Sequence, residues 1–354
     1  MIMRELLDAA RDLRLVCDQD LRGMDFSGVD PALMRFKRCN LSGASFRSRD
    51  LSRTGFFACN LSGADFRDTK LSGLIWRDMV CTGADFGGAH LHAASFVSCD
   101  FREARFDAAE LSLFALSRCA MNGTSWTGAR LLKTQFLECP FDVADFSGAG
   151  FEEASFVDSG LSGANLRGVR VDAALFAQCD LRGQTFSGCT LRRLNAMESD
   201  CTGADFSEAR LEGCVFARAT LDRADLRRAV ALRCQFDEAR FALADLRGGD
   251  FSQSSFRGAD LGSARLEGTR LFASNLQRVK AVAADFRGGD CRYADFSYGD
   301  LRGADFSRAN LYVACLHGAD TRQTRWDGAN TALLRGTDEA LMQAERWAPV
   351  ERAD

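Results

Sequence analysis

Residues 61–86 read LSGADFRDTKLSGLIWRDMVCTGADF, and every fifth residue from Leu61 onward is a large apolar residue or cysteine. The same spacing runs from Leu21 to Trp326 through 62 five-residue units without an insertion, and 54 of these positions hold Leu, Phe, Trp, Met or Val. The exceptions are Pro31, Cys81, Ala196, Cys201, Ala231, Ala281, Cys291 and Thr321. We call this position the centre of each unit. Such a strict period predicts a solenoid, because each short unit can bury its centre only against neighbouring units.

The residues around each centre predict one dry face and one wet face. Two residues before the centre, Ala, Cys, Ser, Thr, Gly or Val occupies 53 of 61 positions, and 23 of the 32 glycines lie two residues after a centre. Side chains alternate in an extended segment, so the centre and this small residue share a face. The residues flanking the centre, mostly Asp, Arg, Ser, Asn and Thr, therefore face water.

The distribution of phenylalanine predicts the number of sides in each turn. Phe is concentrated in two of four interleaved series of centres, which begin Phe26, Phe46, Phe66 and Phe36, Phe56. Leu dominates the other two series, so the pattern repeats after twenty residues. A strand of about three residues can pair only with its equivalent one turn later, in parallel and about 4.8 Å away. We therefore predict an all-β fold, a right-handed quadrilateral parallel β-helix of about 15 coils, roughly 75 Å long.

The five-residue units resemble those of the pentapeptide-repeat family, whose consensus is A(D/N)LXX. Matching units include Ala64-Asp65-Phe66, Ala164-Asn165-Leu166, Ala204-Asp205-Phe206 and Ala304-Asp305-Phe306. The resemblance extends over about 305 of the 354 residues. It implies the same right-handed quadrilateral β-helix. It is much less specific for function, because the residues that define the family are interior ones.

The two ends of the repeat array are predicted to carry helical caps, because open strand edges need covering. We predict an N-terminal cap over residues 1–20, with an amphipathic helix over residues 3–17. The β-helix then covers 21–330, and a C-terminal cap helix and tail cover 331–354. In this second cap, Thr337 is the predicted N-cap of a helix that carries Leu341, Met342 and Trp347.

The composition excludes several classes of protein. The 45 basic and 49 acidic residues give a net charge of −4, which does not indicate direct binding of nucleic acid. The first sixteen residues carry charges inside their apolar run, and no stretch approaches the roughly 20 apolar residues of a membrane span. Since the cysteines lie mostly at interior positions, we expect a reducing, cytoplasmic location and no membrane partner.

The cysteines and histidines offer two candidate ligand sets, and neither predicts a metal or a cofactor. Six cysteines share one predicted edge, one or two turns apart: Cys39, Cys59, Cys99, Cys119, Cys139 and Cys179. A metal ladder or a chain of disulfides would use such a row, but Met79 and Ser159 interrupt it, and buried free cysteine packs as a small apolar residue. His90 and His92 with Glu110 could hold Zn²⁺, but no fourth ligand is evident.

No residue is predicted to be catalytic. Within the sequence there is no glycine-rich phosphate loop, no HExxH motif and no nucleophile elbow. Paired carboxylates are expected on the convex outside of the solenoid, where no cleft is predicted. We therefore expect a protein that is not an enzyme.

One side of the predicted solenoid has apolar residues where the flanks are otherwise polar. They fall on the side centred on Phe36, Phe56 and Trp76. They are Phe57, Ile75, Val97, Ala115, Leu137, Val157, Leu175, Ala177, Met197, Val215 and Ala217. We call this set the apolar side. A stripe of several hundred Å² usually marks a docking surface, although scattered exposed apolar residues are also normal.

Two further surface features are predicted. The acidic belt lies in a stretch without Lys or Arg between Lys133 and Arg167, and consists of Glu138, Asp142, Asp145, Glu152, Glu153 and Asp158. The aromatic group near the C-terminal end consists of outward Phe272, Tyr293 and Tyr312 on one side, which could serve a partner, an end cap or a homodimer.

Two functions follow as hypotheses. The first is a bacterial protein–protein interaction scaffold or adaptor that presents the apolar side; the family resemblance implies secretion-associated proteins and effectors among such scaffolds. The second is DNA mimicry, since the resemblance also implies relatives that bind DNA gyrase and protect it from quinolone-type inhibitors. Duplex DNA carries about one negative charge per 1.7 Å, far more than this chain, so the charge favours the first hypothesis.

Overall fold

The computed structural model describes residues 15–345, and within this range the chain forms fifteen strands and one helix. The strands are β1 (Leu15–Cys17), β2 (Arg35–Lys37), β3 (Gly55–Phe57), β4 (Ile75–Arg77), β5 (His90–His92), β6 (Ser95–Val97), β7 (Glu110–Ser112), β8 (Ala115–Ser117), β9 (Arg130–Leu132), β10 (Gln135–Leu137), β11 (Gly150–Glu152), β12 (Ser155–Val157), β13 (Arg170–Asp172), β14 (Leu175–Ala177) and β15 (Thr190–Arg192). The helix is α1 (Glu339–Glu345). None of the described helices is long and apolar enough to cross a membrane.

Every pairing is parallel and joins residues twenty positions apart, which is the predicted register. For example, Phe136 of β10 faces Leu116 of β8 on one side and Phe156 of β12 on the other. Single bridges with the same twenty-residue step, such as Asp65 to Asp85, connect successive turns on the remaining sides. The fold is therefore an all-β, right-handed parallel β-helix.

The chain divides into two compact units, residues 1–200 and 201–354. In the first unit, nine twenty-residue steps lead from Leu15 to Asn195, and the strands form three sheets in the orders β1-β2-β3, β4-β6-β8-β10-β12-β14 and β5-β7-β9-β11-β13-β15. In the second unit, six such steps lead from Asp205 to Arg325. Its described turns pair through single bridges and not through three-residue strands.

The core is the column of centres and small residues along the inside of each unit. Phe66, Phe86 and Phe106 stack in register, with ring centroids 4.9 and 4.8 Å apart and planes within 5° of parallel. Small residues such as Ala84 and Ala104 are completely buried beside them. Aromatic pairs in such contact add about 0.5–1.5 kcal/mol each beyond their burial.

The corners explain why glycine recurs two residues after the centre. The backbone there is left-handed, as at Gly128 (φ 67°), and it remains so where other residues replace glycine, as at Val143 (φ 53°). Glycine adopts this conformation without the clash of a Cβ atom, whereas other residues are strained.

Both predicted caps differ from the structure in detail. Residues 1–14 lie outside the described residues, as does Trp347, but Leu15–Cys17 of the predicted first helix form strand β1 instead. They do so because they pair in register with β2. The predicted N-cap Thr337 is also wrong: the carboxylate of Asp338 accepts the N–H of Leu341, 3.0 Å away, while the hydroxyl of Thr337 accepts the N–H of Gly318.

Candidate docking surface

The twenty-residue register aligns most of the apolar side within the first unit. Leu137, Val157 and Ala177 are successive neighbours in β10, β12 and β14, and Leu175 lies at the other end of β14. The side chain of Leu137 is exposed, whereas Val157 and Leu175 are half-buried. The structure thus places Leu137, Val157 and Ala177 in one row, while Leu175 lies in the neighbouring row, after Gln135 and Ser155.

Polar residues interrupt the apolar side at two places in the row that begins with Phe57. Arg77 follows Phe57 in its row, and Ser117 lies between Val97 and Leu137. Alongside this row, Ile75 is followed by a serine and by half-buried Ala115. Met197 is half-buried at the end of the first unit, and Val215 and Ala217 are half-buried in the second.

Phe57 and Ile75 are the most exposed members of the apolar side, with 52% and 73% of their surfaces accessible. The ring of Phe57 folds back over Gly55, where an added Cβ atom would lie 2.7 Å from its Cε2 atom. Glycine at this position therefore creates the space that the ring occupies.

These two residues also lie on strand edges that do not pair with each other. β3 is the edge of one sheet and β4 is the edge of the next, although neighbouring rows remain bridged at Asn60 to Val80. Two large inward residues explain the interruption: Leu74 occupies a small position, and Trp76 meets Phe56 edge-on at 76°. The indole Nε1 of Trp76 is buried without a hydrogen-bond partner. Phe57 and Ile75 are therefore exposed at the place where the pairing of consecutive turns is interrupted.

The aromatic group is assembled in the second unit as an edge-to-face series. The ring of Tyr293 lies 5.5 Å from that of Phe272 and 6.0 Å from that of Tyr312. The guanidinium carbon of Arg292 lies 5.4 Å from the centre of the Phe272 ring, which is within cation–π range. Tyr293 is exposed and has a left-handed backbone (φ 60°), a costly conformation for a bulky residue.

The acidic belt surrounds the first unit instead of lying on one side. Its members are Glu138, Asp142, Asp145, Glu152, Glu153 and Asp158. Glu138 and Asp158 share one corner, one turn apart, while the others occupy the remaining sides. Glu153 lies 3.7 Å from Lys133, and Asp145 accepts hydrogen bonds from Ser147 and Asn165. Among the members of the belt, only Glu138 and Asp158 are therefore neighbours in one row.

Comparison with known proteins identifies the repeat. The family model described as pentapeptide repeats matches the chain in eight copies, over residues 35–73, 80–113, 141–172, 174–213, 199–231, 234–272, 250–288 and 290–325. The chain belongs to the pentapeptide-repeat family. No curated protein matches it.

Solved structures of pentapeptide-repeat proteins resemble the chain weakly. HetL, described as involved in heterocyst differentiation regulation in Nostoc sp. strain PCC 7120, is 19% identical, with 73% of this chain and 87% of HetL covered and a TM-score of 0.27. QnrB1, a plasmid-mediated fluoroquinolone resistance protein, is 21% identical over 49% of this chain and 98% of its own, with a TM-score of 0.24. A thylakoid-lumen protein of Arabidopsis thaliana is 36% identical over 23% and 61%, with a TM-score of 0.18.

The cysteine row of this pentapeptide-repeat chain makes hydrogen bonds inside the wall, meaning the ladders of strands and bridges. The thiol of Cys119 donates to the carbonyl of Phe96, 3.5 Å away in the preceding turn, and Cys179 donates to Phe156 at 3.3 Å. All fourteen cysteines are free. Burial raises the pKa of Cys179 to about 12, so its thiol stays protonated and unreactive at neutral pH.

The side chains of His90 and His92 each contact a polar side chain one turn away. The Nδ1 atom of His90 lies 3.1 Å from the carboxylate of Glu110, and Nδ1 of His92 lies 2.8 Å from the hydroxyl of Ser112. Residues 15–345 contain no group of three His, Cys, Asp or Glu side chains placed to hold a metal ion.

A feature that the sequence analysis missed is a recurring Asp–Arg clamp on the surface. In Asp65-Phe66-Arg67, the carboxylate accepts the backbone N–H of Arg67 at 3.0 Å and two guanidinium bonds at 2.9 and 2.6 Å. The same clamp occurs at Asp20, Asp100, Asp180, Asp225, Asp245, Asp285, Asp290, Asp300 and Asp320. The hydrogen bonds from Arg322 lower the pKa of Asp320 to about 2. The tripeptide Asp-centre-Arg was the available signal in the sequence.

Proposed function

We propose that this pentapeptide-repeat protein is a non-catalytic scaffold that docks another protein on its apolar side. One observation carries the proposal: outward apolar Leu137, Val157 and Ala177 are neighbours in register on one side of the first unit, and Phe57 and Ile75 are exposed on the same side, where β3 and β4 do not pair. Covering the surface that each of these two side chains still exposes would contribute about 1–2 kcal/mol to binding, before the cost of association. A bacterial adaptor, including one associated with secretion or an effector, fits this arrangement.

The test is a double substitution, Leu137→Arg with Leu175→Arg, in the full chain. Both side chains face outward, so the thermal melt should not change, while recovery of the partner by affinity capture should be lost. The matched control is Val80→Arg with Leu132→Arg, which charges two exposed apolar residues on other sides. Partner recovery that persists in the folded Leu137/Leu175 variant would exclude this side as the docking surface.

Mimicry of DNA towards a topoisomerase is the second candidate. It is supported by Glu138, Glu152 and Asp158, which have no ion-pair partner within residues 15–345. The Asp–Arg clamps oppose it, because they neutralise many of the remaining carboxylates locally. A gyrase supercoiling assay with and without a fluoroquinolone separates the two functions: absence of any effect at micromolar protein excludes mimicry.

Two subordinate proposals concern location and assembly. Free, buried cysteines support a reducing cytoplasmic location, which cell fractionation tests. The aromatic group supports a homodimer through the C-terminal end, since exposed tyrosines are frequent anchors of interfaces. Light scattering of the chain and of a Tyr293→Arg variant distinguishes a dimer, which the substitution should dissociate, from a monomer, which it should not affect.

A further inference from the structure

The wall of the first unit opens between the turn that contains Asn165 and the turn that contains Thr185. In this row a parallel bridge joins Asp145 to Asn165, but within the described part of the first unit none joins Asn165 to Thr185. The opening is local, because Gly160 and Asp180 remain bridged in a neighbouring row.

Val169 marks one end of the opening. The preceding residues in its row are all alanine: Ala89, Ala109, Ala129 and Ala149. The turn hydrogen bond from Val169 N–H to Leu166 O is 3.4 Å long, against 2.9 Å from Ala149 N–H to Phe146 O. The turn is therefore looser at Val169, where a branched side chain replaces the methyl group of the preceding turns.

Gln184 accounts for the other end. It occupies a small inward position, and its side-chain amide donates to the carbonyls of Ala164 at 2.9 Å and Ser162 at 3.0 Å. In the preceding turn the equivalent carbonyl, that of Ala144, accepts the backbone N–H of Asn165. The glutamine amide therefore takes over a hydrogen bond that normally closes the wall.

A groove of about 860 Å³ lies beside this opening, on the outer face of β9, β11, β13 and β15. Glycines form much of its floor, at Gly150, Gly168 and Gly188. No atom lies within 4 Å of the position that a Cβ atom would take at Gly150, so the groove is open there. Its volume lies in the range of small-molecule sites.

Three arginines line this groove, and we call it the arginine groove. Arg130 and Arg170 flank Gly150 in register, one turn before it and one turn after it, and Arg192 lies further along. The Cα atoms of Arg130 and Arg170 are therefore about 9.6 Å apart, a distance that two arginine side chains can span. Arg130 makes one long contact of 3.7 Å with Glu110, and Arg170 has no ion-pair partner in residues 15–345.

Two carboxylates also line the groove, and only one of them is uncompensated. Asp172 is held by the guanidinium of Arg193 through bonds of 3.0 and 2.6 Å. Glu152 is exposed beside Phe151 and has no ion-pair partner in the described part of the chain. The balance of charge in the groove therefore remains positive.

We propose that the arginine groove binds a small organic phosphate, with the phosphate over Gly150 between Arg130 and Arg170. A tetrahedral dianion can accept hydrogen bonds from two guanidinium groups on opposite sides, whereas a planar carboxylate matches a single fork. The hydroxyl of Thr190 adds a donor, and the exposed side chain of Leu132 provides an apolar contact for the organic part. This site lies on a different side from the apolar side, so it is independent of the proposed docking function.

The test measures binding of 1-naphthyl phosphate to the full chain by calorimetry at low salt. We expect 1-naphthyl phosphate to bind and inorganic phosphate to compete with it. Neutral 1-naphthol should not bind. 1-Naphthoate should bind more weakly than the phosphate. Equal binding of naphthol, or no binding of the phosphate, would overturn the proposal.

Matched variants locate the site. Arg130→Gln and Arg170→Gln should each weaken binding roughly tenfold, as loss of a charged hydrogen bond does. Gly150→Leu should abolish binding by filling the floor, whereas Glu152→Gln should tighten it. The controls are Arg210→Gln, an outward arginine of the second unit, and Gly160→Leu, where a Cβ atom also meets open space. Unchanged affinity in a folded Arg130→Gln/Arg170→Gln variant would exclude the groove.

Discussion

Residues 15–200 and residues 201–345 obey the same five-residue rule but close some of their corners differently. In the second unit, the N–H of Ala239 bonds to the centre carbonyl of Phe236 at 3.1 Å, which closes a tight turn. At the equivalent corner of the first unit, the N–H of Cys179 bonds to the hydroxyl of Ser199 at 3.1 Å, one turn away. There the flanking residues extend into three-residue strands, whereas the second unit has single bridges.

The difference shows that strands depend on consecutive open corners and not on one residue. Cys234 of the second unit makes the same kind of bonds, from its N–H to Ser254 and from its thiol to Leu211. The next corner is closed by Ser254 N–H to Phe251 O at 3.2 Å, and no strand forms. A polar atom in the wall therefore extends a strand only where neighbouring turns open with it.

The largest effect is expected on the free energy of unfolding when a stacked phenylalanine is removed from either unit. Phe106 stacks on Phe86 and on Trp126, 4.1 Å away, whereas within residues 15–345 Phe286 stacks only on Phe306. Phe106→Ala should lower the free energy of unfolding by about 3–5 kcal/mol, and Phe286→Ala by less. Hydrogen exchange should show lost protection mainly in the substituted unit, since each turn contacts only its neighbours. If Phe106→Ala and Phe286→Ala lowered the free energy of unfolding equally, the second stacking partner of Phe106 would not contribute to stability.

The next effect tests the open corner itself. Ser199→Ala should leave both the N–H of Cys179 and the carbonyl of Phe176 without a partner, at a cost of about 2–3 kcal/mol. Ser274→Ala is the control, because it removes only the bond to the carbonyl of Phe251 and should cost about 1 kcal/mol. Denaturant unfolding measures both, and a cost for Ser199→Ala no larger than that of its control would reject this account of the corners.

A smaller effect of opposite sign is expected at the left-handed corners. Val143 and Val313 are branched residues with φ of 53° and 60°, and Val143 is 75% exposed, so it loses little packing when removed. Val143→Gly should therefore raise the free energy of unfolding by about 1 kcal/mol. Val313→Gly should raise the free energy of unfolding by less, because Val313 is half-buried and loses packing when it is replaced. The thermal melts of both variants give the comparison; destabilisation by Val143→Gly would contradict it.

The smallest effect per residue concerns acid. Hydrogen bonds from arginine lower the pKa of the clamped aspartates in the folded state, so their contribution is present above the unfolded pKa of about 4 and is lost as the pH falls. Four clamps lie in the first unit and six in the second, so acid should destabilise the second unit more. Hydrogen exchange between pH 4 and pH 2 measures this, with Asp225→Asn as the control variant. Equal sensitivity of the two units would argue against the clamps.

The sequence predicted the interior well, because a fixed spacing of large and small residues leaves one way to bury them. The register, the inward centres and the outward position of Leu137 follow from that spacing alone. It did not predict which corners open, since Ala154 in an open row and Ala239 in a closed one are the same residue. That choice depends on contacts between turns.

The candidate sites were less predictable for the same reason. The acidic belt is contiguous in sequence, yet a twenty-residue turn distributes contiguous residues over all four sides. The opening beside the arginine groove had a usable signal, because Gln184 exceeds the size of the small position and Val169 follows a row of alanines. The predicted N-cap Thr337 failed because Asp338, one residue later, reaches the N–H of Leu341.

The twenty-residue register has a consequence for inherited changes in chain length. Deleting one five-residue unit from the first unit, after Leu137, would preserve the inward rhythm but rotate every later outward residue by a quarter turn. Val157 and Leu175 would then lie at right angles to Leu137, and the apolar surface would divide. Deleting twenty residues would shorten the surface and leave its direction unchanged. Natural variants that retain such a surface should therefore differ in length by multiples of four units.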